Sequence, residues 1–298
     1  MNAHWLYVLA AFGVGAAMGS FLNIVVHRLP RGLGLFASAP ACPLCDHGIR
    51  GLDNVPLLSY VVRKGKCRDC RQWIPFRYPL LELLTGLLWA MAWSRLANGR
   101  FAPAASIPLA VVSFSFLSVV LTIAFIDLEH MVIPDALSLG GLVMALAVVP
   151  LLSYADGANT PWRTFFSSAF GAIVGCGTSF AVYFSGNIVF KERIKAAQEI
   201  DPEINSALGL GDVKLMAFFG AFLGWRGAIA ILILASMAGA VVGCLRKWLT
   251  GDSGGIPGVK GIAERWKTGN SVVPFGPFLC LGALIYFFFG IFGKPFLG

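Results

Sequence analysis

Residues 104–126 read AASIPLAVVSFSFLSVVLTIAFI, and Asp127 follows at once. The run carries no charge until that acid closes it. A helix needs about 20 apolar residues to cross a hydrocarbon core about 30 Å thick. The run therefore predicts a membrane-spanning helix. Its apolar residues are continuous rather than alternating, which speaks against a β-barrel strand. Similar runs recur on both sides. Helices are expected at about 5–26, 79–97, 104–126, 134–152, 164–186, 213–224, 227–245 and 274–292. The fold class this implies is an all-α polytopic membrane protein with about eight transmembrane helices.

Composition agrees. The 298 residues are 57% hydrophobic and 13% charged, with a mean hydropathy of +0.76. Soluble globular domains carry about 25% charged residues. Residues Met1 to Leu9 hold no Lys or Arg. A signal peptide would have a positive start there, so 5–26 reads as a retained first helix. The stretch from Val213 to Trp225 is too short to span a bilayer at about 1.5 Å per residue. Either it begins below the membrane surface, or 213–245 is one long broken helix.

The net charge of +8 first suggests a nucleic-acid partner. Its placement excludes that reading. Nine basic residues fall between Arg28 and Arg77, three more are Lys191, Arg193 and Lys195, and five lie between Arg246 and Lys267. Few lie in the other loops. This alternation follows the positive-inside rule. It puts the three basic segments in the cytoplasm and both termini outside.

The first basic segment contains Cys42-Pro43-Leu44-Cys45 and Cys67-Arg68-Asp69-Cys70, two CxxC pairs separated by 21 residues. Four thiolates so spaced suit tetrahedral zinc. Disulfide or redox chemistry is the competing reading, although thiols stay reduced in the cytoplasm. A loop with so little apolar content would gain its missing stability from a metal. Cys176, Cys244 and Cys280 lie in apolar runs and read as small buried hydrophobes. Glycines four apart, such as Gly15 and Gly19, Gly171 and Gly175, and Gly220 and Gly224, read as helix-packing sites.

Two carboxylates stand at membrane edges. Asp127 lies in Phe125-Ile126-Asp127-Leu128, and Asp212 in Gly209-Leu210-Gly211-Asp212-Val213-Lys214. Each has a structural reading, as the polar end of a helix or as an N-cap. A carboxylate kept at a bilayer edge is also a functional-site candidate. Both fall at the same membrane face, and two that meet can share a proton and act as general base and general acid on a peptide bond. Glu129, His130 and Asp135 crowd the segment after Asp127. Asp135 reads as the N-terminal acid of the next helix, and Lys214 as a side chain snorkelling to the headgroups.

These residues resemble the bacterial prepilin peptidases, or type IV leader peptidases, of the GxGD aspartic protease family. The resemblance runs from Gly19-Ser20-Phe21-Leu22-Asn23 through Arg28-Leu29-Pro30 and the paired CxxC motifs. It includes Asn54 to Tyr60, Gly65-Lys66-Cys67, Arg77-Tyr78-Pro79 with Glu82, and both aspartate motifs. It closes on Pro274 to Leu279. The resemblance implies an endopeptidase that removes the leader from prepilins or pseudopilins after a Gly on the cytoplasmic face of the bacterial inner membrane. It also implies N-methylation of the new N-terminus with S-adenosylmethionine. The catalytic pair would be Asp127 and Asp212. The zinc ligands would be Cys42, Cys45, Cys67 and Cys70. Gly65, Lys66 and Glu82 would be candidates for methyl transfer.

The expected organisation is a first transmembrane helix at 1–26, a cytoplasmic zinc-binding loop at 27–78 and a transmembrane peptidase core at 79–298. Partners would be the pilin substrates and the lipid bilayer, with no nucleic acid, and a homo-oligomer is compatible with the sequence. The stretch from Phe190 to Ala207 is longer than expected before the GxGD motif and reads as a loop extension. Glu129, Asp135, Glu199, Asp201 and Glu203 offer acid to a basic leader. A membrane thiol oxidoreductase using the CxxC pairs and an ion-coupled transporter using the aspartates are the rival readings.

Overall fold

The fold is that of a computed structural model. It describes residues 3–35, 42, 45, 47, 48, 55–97, 103–155, 160–189, 191, 192, 208–250 and 274–290. Residues 193–207, with Glu199, Asp201 and Glu203, lie outside the described residues. The helices are α1 (Ala3–Arg28), α2 (Leu58–Val62), α3 (Arg77–Ala97), α4 (Pro103–His130), α5 (Asp135–Ala155), α6 (Pro161–Val189), α7 (Leu210–Thr250) and α8 (Gly276–Phe289). Among the described residues there is no strand, and an isolated bridge joins Lys66 and Trp73.

Four apolar stretches are long enough to cross a membrane: Trp5–Arg31, Ile107–His130, Pro161–Val189 and Leu210–Leu245. Asp135–Leu151 and Gly276–Phe289 are shorter apolar helices. The chain is a multi-pass membrane protein by this pattern. It divides into two compact units, Met1–Ile126 and Asp127–Gly298.

Within the first unit, α1 and α3 run antiparallel. The side-chain amide of Asn23 donates to the Tyr78 carbonyl at 3.1 Å. Gly19 abuts the Glu82 backbone, Gly15 abuts Gly86 and Trp89, and the rings of Tyr7 and Trp93 lie 6.2 Å apart. The four-residue glycine spacing permits this approach, because a side chain at Gly19 would strike the α3 backbone. Along α4, Trp89 Nε1 donates to Ser118 Oγ at 3.2 Å and its ring stacks on Phe114 at 4.3 Å.

The second unit is built on α7. Gly171 and Gly220 meet backbone to backbone across α6 and α7. Gly175 touches the Met216 carbonyl, and a methyl there would also stand 3.5 Å from the Ala228 methyl. A straight helix would hold residues 216 and 228 about 18 Å apart. The chain therefore folds back between them, at Gly224, whose φ of 77° and ψ of 171° are not helical. Only glycine adopts that conformation readily. The two limbs, 210–223 and 225–250, stand where the sequence placed helices at 213–224 and 227–245. α8 packs on the second limb through Gly282 against Ile231 and Tyr286 against Gly227, and Gly141 of α5 meets Phe218.

Most helix ends differ from expectation by a few residues, α6 spanning Pro161–Val189 rather than 164–186 and α7 ending at Thr250 rather than 245, and two of the differences fall at the aspartates. α4 does not stop at residue 126 but runs through Asp127 to His130. α7 starts at Leu210 rather than 213, so Asp212 lies within its first turn. In both cases backbone hydrogen bonding continues past the last lipid-like residue, which hydropathy alone does not register.

Candidate active site and cysteine cluster

Asp127, in the last turn of α4, is 5% exposed, and Asp212, in the first turn of α7, is 6% exposed. Each is held by a turn. The Met131 N–H donates to the Asp127 carbonyl at 2.9 Å, and Met131 takes a φ of 54°, which ends α4 sharply. A left-handed non-glycine residue is uncommon. Around Asp212 the bonds are reciprocal. The Gly209 N–H donates to Asp212 Oδ2 at 3.2 Å, and the Asp212 N–H donates to the Gly209 carbonyl at 3.1 Å. Such a carboxylate also faces the positive end of the helix. Its other oxygen, Oδ1, is buried and has no hydrogen-bond partner among the described residues. Buried polar atoms are normally satisfied, so this oxygen is open to a ligand or water.

Three chain turns converge here. The Gly276 N–H bonds the Asp127 carboxylate, and a methyl at Gly276 would overlap it. That same methyl would stand 3.4 Å from Ile133 Cδ1, and a methyl at Gly211 would stand 3.1 Å from Ile133 Cβ. Ile133 thus lies between the Gly-Leu-Gly-Asp turn and the start of α8. The charge of Asp127 acts on Asp212, and both charges act on the buried Cys280 thiol of α8. The arrangement brings two carboxylates into one electrostatic site, with a glycine at each approach.

Reading the sequence gave Ile133 and Gly276 no role of their own; of the three cysteines read as buried hydrophobes, Cys280 is buried whereas Cys176 and Cys244 are exposed. A glycine followed by proline at the mouth of an apolar run was the available signal for Gly276. Lys214 has a partner within the protein. It donates to both Asp135 oxygens at 2.7 and 2.9 Å, because α5 and α7 start side by side. Asp135 is the first residue of α5, as expected. His130 Nε2 lies 3.9 Å from Glu129, its neighbour in the chain.

In the first unit, the donor sulfurs of Cys42, Cys45, Cys67 and Cys70 all lie within 4.8 Å of one another. Two similar turns hold them. The Cys42 N–H donates to the His47 carbonyl at 3.0 Å, and the Cys67 N–H to Gln72 at 2.9 Å. Tetrahedral zinc–sulfur bonds of about 2.3 Å need sulfurs about 3.8 Å apart. The four thiols suit a metal ion with shifts under about an ångström. The Cys70 N–H, helped by that of Asp69, draws the Cys67 thiol down to about 7, which favours the thiolate.

Gly65 lies in the turn after α2 with a φ of 70°. Its N–H donates to Tyr60, its carbonyl accepts from Ile74, and a methyl there would press on the Tyr60 and Trp73 rings. Lys66 Nζ rests 5.0 Å above the Trp73 ring. Glu82 is tied to another part of the segment. It accepts the Leu57 N–H at 2.8 Å, and Leu57 holds a φ of 60°.

Comparison with known proteins divides the chain in a similar way. The family described as Bacterial Peptidase A24 N-terminal domain matches residues 14–96, and the Type IV leader peptidase family matches residues 114–244. A prepilin leader peptidase/N-methyltransferase of Myxococcus xanthus is 34% identical, over 84% of this chain and 66% of its own length. Proteins of that name from Burkholderia pseudomallei and Aeromonas salmonicida are each 31% identical. The alignments cover 94% and 96% of this chain, and 84% and 92% of theirs. No solved structure matches.

Proposed function

The chain belongs to the type IV leader peptidase family, and from that premise we propose that it cuts the leader from prepilins or pseudopilins and then N-methylates the exposed residue. Asp127 and Asp212 are the catalytic pair in this reading. The observation that carries it is the burial of both carboxylates in one site, one oxygen of Asp212 being left without a partner.

One carboxylate takes a proton from water as the water oxygen attacks the scissile carbonyl carbon. The other, protonated, donates to the carbonyl oxygen and stabilises the tetrahedral adduct. The adduct collapses as the C–N bond breaks and the leaving amine receives a proton. Gly276 and Gly209 fix the carboxylates through their N–H groups, so their orientation does not depend on the substrate. The glycines also keep the approach free of side chains.

Cys42, Cys45, Cys67 and Cys70 would hold a structural zinc ion that closes the 42–70 segment. S-adenosylmethionine supplies the methyl group in the second reaction. Gly65, Lys66 and Glu82 fit such a site in charge: an ammonium for the cofactor carboxylate, and a carboxylate for its cationic end. The orientation follows from the basic segments: α1 leads into a cytoplasmic loop, and the aspartates face the cytoplasm of the bacterial inner membrane. Eight passes result if both limbs of α7, the less apolar α3 and the shorter helices α5 and α8 all count as crossings.

The test is mass spectrometry of a prepilin N-terminus after co-expression with the wild-type chain, with Asp127→Asn and with Asp212→Asn. A mature, singly methylated N-terminus with wild type and full-length substrate with both variants is the expected result. Cleavage surviving in either variant removes that residue from the catalytic pair.

A further inference from the structure

The chain between α1 and α3 begins and ends on one side of that helix pair. α1 and α3 are antiparallel, with Asn23 beside Tyr78, so α1 ends and α3 starts on the same side, the end of α1 reaching about 6 Å further by helical rise. A segment so placed, outside the spans, would normally turn polar residues to water. This one does not. On the short helix α2, Leu58, Val61 and Val62 share one face at positions i, i+3 and i+4, and the two valines are each 71% exposed. Trp73 is 66% exposed and Phe76 is 65% exposed, one residue before α3 begins. The two groups belong to one small structure. Gly65 packs between the Tyr60 ring of α2 and the Trp73 ring, and the Ile74 N–H returns to the Gly65 carbonyl at 2.8 Å.

Exposed apolar side chains on this scale mark an interaction surface. Its charge selects the partner. Between Arg28 and Arg77 the sequence has nine basic residues and three acidic ones, Asp46, Asp53 and Asp69. Lys64 and Arg71 stand in left-handed turns beside the apolar groups, with φ of 51° and 56°. An apolar face bordered by Trp and cations is the composition that settles into a bilayer interface. A basic leader peptide is poorly matched to it in charge. We infer that α2 and the Trp73–Phe76 segment lie on the membrane surface, with Val61, Val62, Trp73 and Phe76 immersed among anionic headgroups. The cysteine cluster is thereby held against the bilayer rather than out in solvent.

The inference is independent of the peptidase reading, because its test measures lipid contact and not activity. Amide hydrogen exchange of the full chain would be compared in nanodiscs of phosphatidylglycerol and of phosphatidylcholine. Amides of residues 58–62, 73, 74 and 76 should exchange at least ~10-fold more slowly in phosphatidylglycerol, given about 1 kcal/mol per basic residue at an anionic surface. A Val61→Asp/Val62→Asp chain should lose that protection at α2 while α1 and α3 exchange as in wild type. A Lys64→Glu/Arg71→Glu chain should lose the difference between lipids. Equal exchange of the wild type in the two lipids overturns the assignment. So does protection that appears only when a prepilin is added, which would make the face a protein-docking site.

Discussion

The cysteine segment and the aspartate turns place their functional groups by opposite means. The cysteines are gathered by bonds local in sequence: Cys42 to His47, Cys67 to Gln72, Gly65 to Tyr60 and Ile74. A metal would complete the structure. The aspartates depend on segments far apart in the chain. Asp127, Ile133, Gly211 and Gly276 come from α4, the turn after it, α7 and α8. In lipid such a site is held by close helix packing, since burial from water contributes little between helices there. The first design tolerates change in its neighbours, and the second does not.

The sharpest break in this comparison is chemical. Asp127→Asn or Asp212→Asn should lower leader cleavage by about 10²–10⁴-fold, the usual contribution of a positioned acid or base. Expression and thermal unfolding in detergent should stay near wild type, because Asn keeps the shape. Next is geometry without chemistry. Gly276→Ala overlaps the Asp127 carboxylate, and displacing a catalytic group by about 1 Å can cost about 10²-fold in rate. The loss should fall on kcat in a fluorogenic leader-peptide assay.

Metal removal sharpens the contrast from the other side. Cys67→Ser, or a chelator, should release bound zinc, read by metal analysis, and expose residues 55–76 to proteolysis. The aspartate turns should keep their hydrogen-exchange protection. The smallest effect is expected at Lys214→Met. Its ion pair with Asp135 is half exposed, and such pairs contribute about 0–1 kcal/mol. A shift in unfolding midpoint of a few degrees or less, with cleavage within a few-fold of wild type, would fit. A loss as large as that of Gly276→Ala would show that the α5–α7 junction positions Asp212.

The sequence made the helices legible because hydropathy is a property of each residue in lipid. It also exposed the packing glycines at 15, 19, 171, 175 and 220, whose four-residue spacing has a direct steric meaning. It did not expose Ile133 as a spacer, because an isoleucine after a helix looks like any other apolar residue until Gly211 and Gly276 are placed on either side. The ends of α4 and α7 were misjudged for a related reason. Asp127 and Asp212 look like boundaries by polarity, yet backbone bonding carries each helix past them. At Gly224 the sequence left two readings, a helix beginning below the membrane surface or one long broken helix over 213–245, and the structure has a break at Gly224 with Gly175 touching both limbs.

That fold-back bears on how the protein is made. The stretch from Leu210 to Leu245 leaves the ribosome as 36 largely apolar residues. As one straight helix it would be about 54 Å long, far beyond a bilayer core of about 30 Å. Without the reversal at Gly224, insertion machinery would meet a single over-long segment, and α8 would be delivered to the opposite side of the membrane. One glycine in a conformation closed to other residues therefore sets the sidedness of the C-terminal segment as well as the local path of the chain.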